Sequence, residues 1–307
     1  MNWKIKTRLF RILSGIPAGE EIYRFAQKHI TRSIVATPIR VSQKMELADR
    51  YLRWLIEHGT CPEDVRSMRH VDFGAGWHPT IPIYYAMQGM RGQVLLDLFP
   101  VLRLSSFREA ESLVAEISKD WHVPPLPLAS LPEAPASGAG LEELLRAYGI
   151  EYHAPYMEWA EKAGEMADLV TSSQVLLHIE QPILDDCMKI IHRLMKPGSY
   201  FMAETHLFDI HANSDSSISR YNHLRFSKEY WDNKANSRLM WYNRLKARDY
   251  REVLERAGFE IADFKIIRGS EKDLKDLAEI DIHPEFLSRY SMEELSEVFL
   301  FFCARKK

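Results

Sequence analysis

The run His70-Val71-Asp72-Phe73-Gly74-Ala75-Gly76-Trp77-His78-Pro79 reads as a short buried strand entering a glycine turn, and it restricts the fold more than any other stretch. About twenty residues after the turn, a second apolar run, Val94-Leu95-Leu96, ends in an acid, Asp97. Strand, glycine turn, helix, strand and acid, in that order, is how an α/β sheet holds a nucleoside-bearing ligand. Gly74 and Gly76 let the backbone turn tightly and approach the ligand where a Cβ would collide. A carboxylate at the tip of the second strand accepts hydrogen bonds from both hydroxyls of a ribose.

The glycine pattern argues against a pyrophosphate. A dinucleotide site has a third glycine that admits the helix N-terminus to the phosphates. Pro79 stands at that position here, preceded by His78. A ligand with ribose and adenine but no phosphate suits the turn better, and S-adenosylmethionine is the common one. An NAD-dependent oxidoreductase stays as an alternative.

The chain has 307 residues, enough for one enlarged domain or a domain with a cap. Its net charge of −3 gives no field favouring polyanions, so nucleic acid is not the expected partner. Cys61, Cys187 and Cys303 are far apart and match no metal spacing, which fits a reducing cytoplasm. No run approaches the length of a membrane span. The segment Asn2 to Leu13 is basic and partly apolar but lacks the uninterrupted apolar core and cleavage site of a signal peptide. It reads as a cap helix packing on the domain, with a membrane-surface helix as the other possibility.

Residues 1–66 are predicted mostly helical, an N-terminal cap ahead of a domain over 67–307. Strands are expected at Val71 to Phe73, Val94 to Asp97, Ile150 to Pro155, Ala167 to Ser173 and Tyr200 to Glu204. Helices are expected at Phe107 to Ser118, Leu141 to Tyr148, Pro182 to Met195 and Asp249 to Ala257. Lys196-Pro197-Gly198 is expected to stop the third of these and turn the chain into the fifth strand. A Pro/Ala/Ser-rich passage within 121–140 reads as an inserted surface loop. A polar, aromatic passage over 206–246 reads as a substrate cap. The runs around Phe264 and over Val298 to Phe302 read as closing strands.

With these pieces in place the chain resembles the Rossmann-like S-adenosylmethionine-dependent methyltransferases. The matching elements are Asp72-x-Gly74-x-Gly76, Asp97, Asp168-Leu169-Val170 with Val175 to Ile179, Leu194-Met195-Lys196-Pro197-Gly198, and Ala257-Gly258-Phe259. They occur in the family's order. The resemblance implies an α/β sheet of seven strands, mostly parallel with the last antiparallel. A narrower likeness, to bacterial methyltransferases of polysaccharide and other small-molecule pathways, rests on Gly76-Trp77-His78-Pro79, His206-x-x-Asp209-x-His211, Tyr221-Asn222-x-Leu224-Arg225-Phe226-Ser227, Trp231 and Asn243-Arg244-Leu245. The chain departs from the family at His78, where a third glycine often stands.

Methyl transfer from a sulfonium is an in-line displacement, and a hydroxyl nucleophile must also lose a proton. Asp97 is the expected ribose contact; a helix cap or surface acid is the alternative. Asp72, Gly74 and Gly76 are expected at the cofactor turn, with a structural role open for Asp72. Met157 and Glu158 are placed against the adenine or in solvent, and Ser173 and Gln174 against the cofactor after the fourth strand. His178, His206 and His211 are the candidate bases, because imidazole titrates near neutral pH. Each could equally be a satisfied structural histidine. In related O-methyltransferases a histidine at the position of His178 serves as base, which the resemblance alone implies. His206, Asp209 and His211 match no strong metal signature, and no metal is expected. Tyr221, Arg225, Trp231, Trp241, Tyr242 and Arg244 form either an acceptor pocket or an ordinary packed cap. The expected function is methylation of a small molecule or sugar, at oxygen. A catalytically silent, cofactor-binding regulatory subunit is the rival from another class.

Overall fold

The computed structural model describes residues 2–16, 21–22, 35–122, 124–132 and 140–307. In chain order, α1 (Trp3–Ser14), α2 (Pro38–Glu57) and α3 (Pro62–Ser67) precede β1 (Arg69–Phe73). Then come α4 (Thr80–Met87), β2 (Gly92–Leu96), α5 (Leu104–Ile117), α6 (Leu141–Ala147), β3 (Ile150–His153), α7 (Met157–Lys162) and β4 (Ala167–Ser173). Next are α8 (Gln181–Leu194), β5 (Met195–His206), α9 (Ala247–Arg256) and β6 (Phe259–Arg268). Three helices, α10 (Glu271–Glu279), α11 (Pro284–Leu287) and α12 (Met292–Leu295), lead into β7 (Glu297–Lys306).

The seven strands form one sheet in the order β3-β2-β1-β4-β5-β7-β6. Neighbours from β3 to β5 pair in parallel, and β7 runs antiparallel to both β5 and β6. Chain order reverses between β1 and β4. At such a switch point the strand ends splay and leave a crevice at their carboxyl edge. Gly74, Asp97 and Gln174 all lie just past strand ends on that edge.

Alternation along each strand sends side chains to two cores. Val71, Phe73, Val94 and Leu96 pack with α8 and α9, while Leu95, Leu169, Met202, Phe301 and Cys303 pack with α2, α4 and α5. Both faces are covered, as a parallel sheet requires. Helix α8 has the predicted spacing: Leu184, Cys187, Met188, Ile191 and Leu194 face the sheet, and Ile183 stays exposed. Tyr84 and Trp121 both donate to the Asp49 carboxylate, at 2.7 and 2.9 Å, which ties α2 to the sheet's first helix.

Three expectations need adjusting. Lys196-Pro197-Gly198 is not a turn between helix and strand: α8 ends at Leu194 and β5 begins at Met195, with the tripeptide inside it. The extra residues are absorbed as an irregularity against Ala167 and Leu169, with Gly198 at φ 82°. The passage after α5 is not wholly superficial, since Leu126 is buried in the core and Ala129 N–H donates to Met87 O at 2.7 Å; positions 123 and 133–139 lie outside the described residues. Helices α10 to α12 were not foreseen: α11 and α12 have four residues each, too few for a periodic signal, although the Ser270 cap of α10 and its Leu274 and Leu277 were readable. They close over Phe208, Tyr221 and Leu224 in a separate apolar cluster.

Candidate active site

The site begins with the two glycines. Gly74 has φ 85° and Gly76 φ 68°, the left-handed region that costs other residues about 1–2 kcal/mol. Their surroundings differ. A Cβ on Gly74 would meet Val175 Cγ2 at 2.3 Å, whereas one on Gly76 would find only Gly74 O, at 3.9 Å. Gly74 is therefore a close-packing glycine and Gly76 opens onto free space. Gly74→Ala is expected to destabilise the protein by roughly 3 kcal/mol or more, from overpacking added to backbone strain. Gly76→Ala should cost only the strain and, if the open space beside it receives the cofactor, weaken cofactor binding at least about tenfold. Thermal unfolding and calorimetric titration of the two variants separate these outcomes.

Asp97 is joined to that turn. Its Oδ2 accepts from Gly76 N–H at 3.0 Å, while its own backbone bonds to His153 and Tyr156 on the neighbouring loop. Asp97 is neither a helix cap nor a free surface acid. Burial, reinforced by Asp72 and opposed by the Gly76 bond and Lys44, pushes its pKa up to about 7. Leu98 and Phe99, which follow it in sequence, and Met157, which follows its partner Tyr156, are apolar and exposed. Glu158 instead points along α7 into an exposed ion pair with Lys162.

Asp72 is buried and works through a polar chain. Gln93 Nε2 donates to Pro82 O, which fixes its amide, so His70 Nδ1–H donates to Gln93 Oε1 at 2.9 Å. His70 Nε2 then meets Thr171 Oγ1 at 2.8 Å, and that hydroxyl meets Asp72 Oδ1 at 3.0 Å. The Thr171 proton can serve only one of these neighbours. Burial lowers His70 to about 4, so its ring is neutral, and raises Asp72 to about 6 against the opposing pull of Lys44 and the Thr171 hydroxyl.

Two residues of this site escaped the sequence reading. Strand alternation brings Glu204 to the same face as Asp72, and Lys44 of α2 feels Asp72, Glu204 and Asp97 together. Burial lowers the Lys44 pKa and those three acids raise it. Three carboxyl groups around one ammonium leave the crevice with an acidic bias, suited to a cationic ligand. Glu204 had a readable signal, an acid near the end of a buried strand. Lys44 had none, because its role depends on how α2 crosses the sheet.

Ser173 and Gln174 do follow β4, but their side chains tie two strand ends together. Gln174, at φ 59°, donates from Nε2 to Glu204 Oε1 at 3.0 Å and accepts from His206 N–H at 3.1 Å. Ser173 Oγ also reaches Glu204, at 3.5 Å.

The three histidines separate into two places. His178 is exposed to solvent, yet protein on its other sides lowers its pKa by desolvation. Its Nδ1 lies 2.9 Å from Trp241 O, an acceptor only, so Nδ1 carries the proton and Nε2 keeps its lone pair. His206 sits between Phe208 and Phe299, and burial, with the nearby His178 and Arg220, lowers it to about 4. His211 is elsewhere. It is fully buried among Trp3, Trp231 and Tyr242, which leaves its ring no route to a reacting atom in this conformation. His206, Asp209 and His211 thus do not converge. Among the described residues, no three His, Cys, Asp or Glu side chains are arranged to hold a metal ion.

The aromatic cluster is in the main a packed cap. Tyr221 and Trp231 are buried, and the Arg244 guanidinium bonds to His223 O and Phe226 O between the rings of Trp231 and Phe286. Arg225 is exposed. Only Trp241 and Tyr242 reach His178, the latter with its ring 4.9 Å away. Asn243 holds this wall in place, donating from Nδ2 to Leu176 O and Ile179 O on the loop that bears His178. A cavity of about 20 Å³ lies behind, lined by His206, His223, Trp231, Tyr242 and Arg244 among others. A wider groove of about 390 Å³, lined by Arg50, Arg53, Trp54, Asp263, Lys265 and Phe301 among others, shares no residue with the glycine turn.

No curated protein matches the chain at a significant level. Among solved structures it is similar to magnesium protoporphyrin IX methyltransferase from Synechocystis PCC 6803 with bound SAH, at 15% identity over 94% of this chain and 100% of that one, with a TM-score of 0.46. It is also similar to an S-adenosylmethionine dependent methyltransferase from Mesorhizobium loti, at 19% identity over 79% of this chain and 96% of that one, with a TM-score of 0.39. A family model described as a methyltransferase domain matches residues 43–263, from within α2 to within β6. The chain therefore belongs to the methyltransferase domain family, in its Rossmann-like, S-adenosylmethionine-dependent class.

Proposed function

We propose that this methyltransferase acts on a hydroxyl group of a small molecule or sugar, with His178 Nε2 taking the hydroxyl proton. The observation that carries this reading is the bond from His178 Nδ1 to Trp241 O, which fixes the tautomer and aims a basic nitrogen away from the backbone. Lowering of its pKa keeps the ring neutral, hence able to accept, at and below neutral pH.

The cofactor supplies an electrophilic methyl group on a sulfonium. The open space beside Gly76 and the acidic bias around Lys44 fit such a ligand. Asp97 would hold the ribose through the oxygen not bonded to Gly76, and Leu98, Phe99 and Met157 would flank the adenine. Asp72 and Glu204 would face its cationic end. Ser173 and Gln174 would contribute by backbone, since their side chains are engaged. Residues 206–246 would form the acceptor cap, with Trp241 and Tyr242 as its wall beside His178 and His206. The remainder of 67–307 would be the methyltransferase domain, carrying the inserted passage 121–140, and 1–66 the N-terminal cap.

The experiment is methyl transfer from labelled S-adenosylmethionine to paired acceptors that differ only in a free or blocked hydroxyl. Transfer to the free hydroxyl alone is expected. Transfer that persists on the blocked acceptors, at nitrogen or carbon, would overturn the assignment to oxygen.

A further inference from the structure

Helix α1 is apolar on two sides. Trp3, Thr7, Phe10 and Leu13 are buried, and Trp3 packs on the acceptor cap, where its ring lies 5.9 Å from Trp231 and 5.5 Å from both Phe226 and His211. Trp3 N–H donates to Asp215 Oδ2 at 2.7 Å, and Lys6 Nζ donates to Ser214 Oγ at 3.1 Å. The helix is thus firmly seated. Seating uses up only one face.

The far side carries Ile5, Leu9, Ile12 and, just past the helix, Ile16, exposed by 60%, 44%, 65% and 43%. Their spacing of four, three and four residues forms a stripe along the helix. Lys4, Arg8 and Arg11 are exposed along one border of that stripe, whereas Lys6, half-buried and bonded to Ser214, lies on the seated side. Residues 2–16 contain these four cations and no acid, in a chain whose net charge is −3. An apolar stripe flanked by exposed cations, with no acid beside it, complements a surface that is hydrocarbon beneath and anionic above.

We infer that α1 is a docking element for an anionic lipid surface, holding the acceptor cap against the membrane face. Among the described residues no helix is long and apolar enough to cross a bilayer, so the attachment is peripheral. Through Trp3 and Trp231 the docked helix would be in packed contact with the cap, which places the acceptor side of the crevice near amphiphilic acceptors. Docking itself does not depend on which atom is methylated.

The full chain should float with phosphatidylcholine vesicles doped with phosphatidylserine, and salt should weaken that association. Vesicles of phosphatidylcholine alone should bind far less. The double variant Ile5→Glu/Ile12→Glu, altered only at exposed positions, should keep its thermal midpoint and lose at least about tenfold in vesicle partitioning. Arg8→Gln/Arg11→Gln should lose the preference for anionic vesicles. Equal flotation of the isoleucine variant, or no flotation of the natural chain, would overturn the inference. So would light scattering that shows a dimer which the isoleucine variant dissolves, because the stripe would then meet a second copy. Since vesicle binding is read without turnover, its failure is distinct from failure of the hydroxyl assignment.

Discussion

Asp97→Asn should bind S-adenosylmethionine about 30- to 100-fold more weakly and yet unfold at a higher temperature when ligand-free at pH 8. The affinity loss follows from replacing two charge-assisted hydrogen bonds to a ribose by weaker neutral ones, a difference of about 1 kcal/mol each plus the disturbed Gly76 contact. The stability gain has a separate cause. Burial lifts the Asp97 carboxyl from its ordinary 3.8 to about 7. Between those values the folded state binds more protons than the unfolded chain, so ionisation of Asp97 removes stability as pH rises from about 4 to 7. An amide does not ionise. The variant should therefore exceed the natural protein by roughly 1–3 kcal/mol at pH 8, and the difference should shrink as pH falls toward about 4. Paired calorimetry and thermal melts across that range read both effects. A variant that binds normally would remove Asp97 from the ribose site. One that is no more stable at pH 8 would mean the carboxyl is better solvated than its surroundings imply.

His178→Ala should slow methyl transfer by about 10²- to 10⁴-fold, the usual contribution of a positioned base, with cofactor affinity unchanged. The ring does not contribute to the glycine turn, so loss of binding would point to a collapsed loop instead. His206→Ala tests the neighbouring imidazole in the same way, and a smaller effect is expected because its ring is held between Phe208 and Phe299. Burial lowers both pKa values, so neutral imidazole persists below the ordinary histidine range, and the acid limb of the rate profile should fall below about pH 6.5. If neither substitution changes the rate of the transfer step in single-turnover experiments, neither histidine is the base.

The sheet was readable because its signals are local. A buried run such as Ala167 to Ser173, a helical repeat such as that of α8, and the turn at Gly74 and Gly76 each lie within a few neighbouring residues, where sterics and periodicity act. The order of those pieces then left few ways to wind a parallel sheet, and with it came the carboxyl-edge position of Asp97. The histidine set was only partly readable. His178, His206 and His211 look alike in sequence, but one keeps an acceptor ring nitrogen at an exposed position, one is held between two phenylalanines, and one is sealed behind Trp3.

Residue order by itself determined the fold class, the glycine turn and the place of Asp97 at a strand end, because backbone conformation and hydrophobic spacing are short-range properties. Tertiary structure alone decided that Lys44 joins Asp72, Asp97 and Glu204, that Trp241 orients His178, and that α1 keeps a bare apolar stripe. Charge interactions, tautomers and exposure depend on atoms brought together from distant parts of the chain. No local pattern records which atoms those will be.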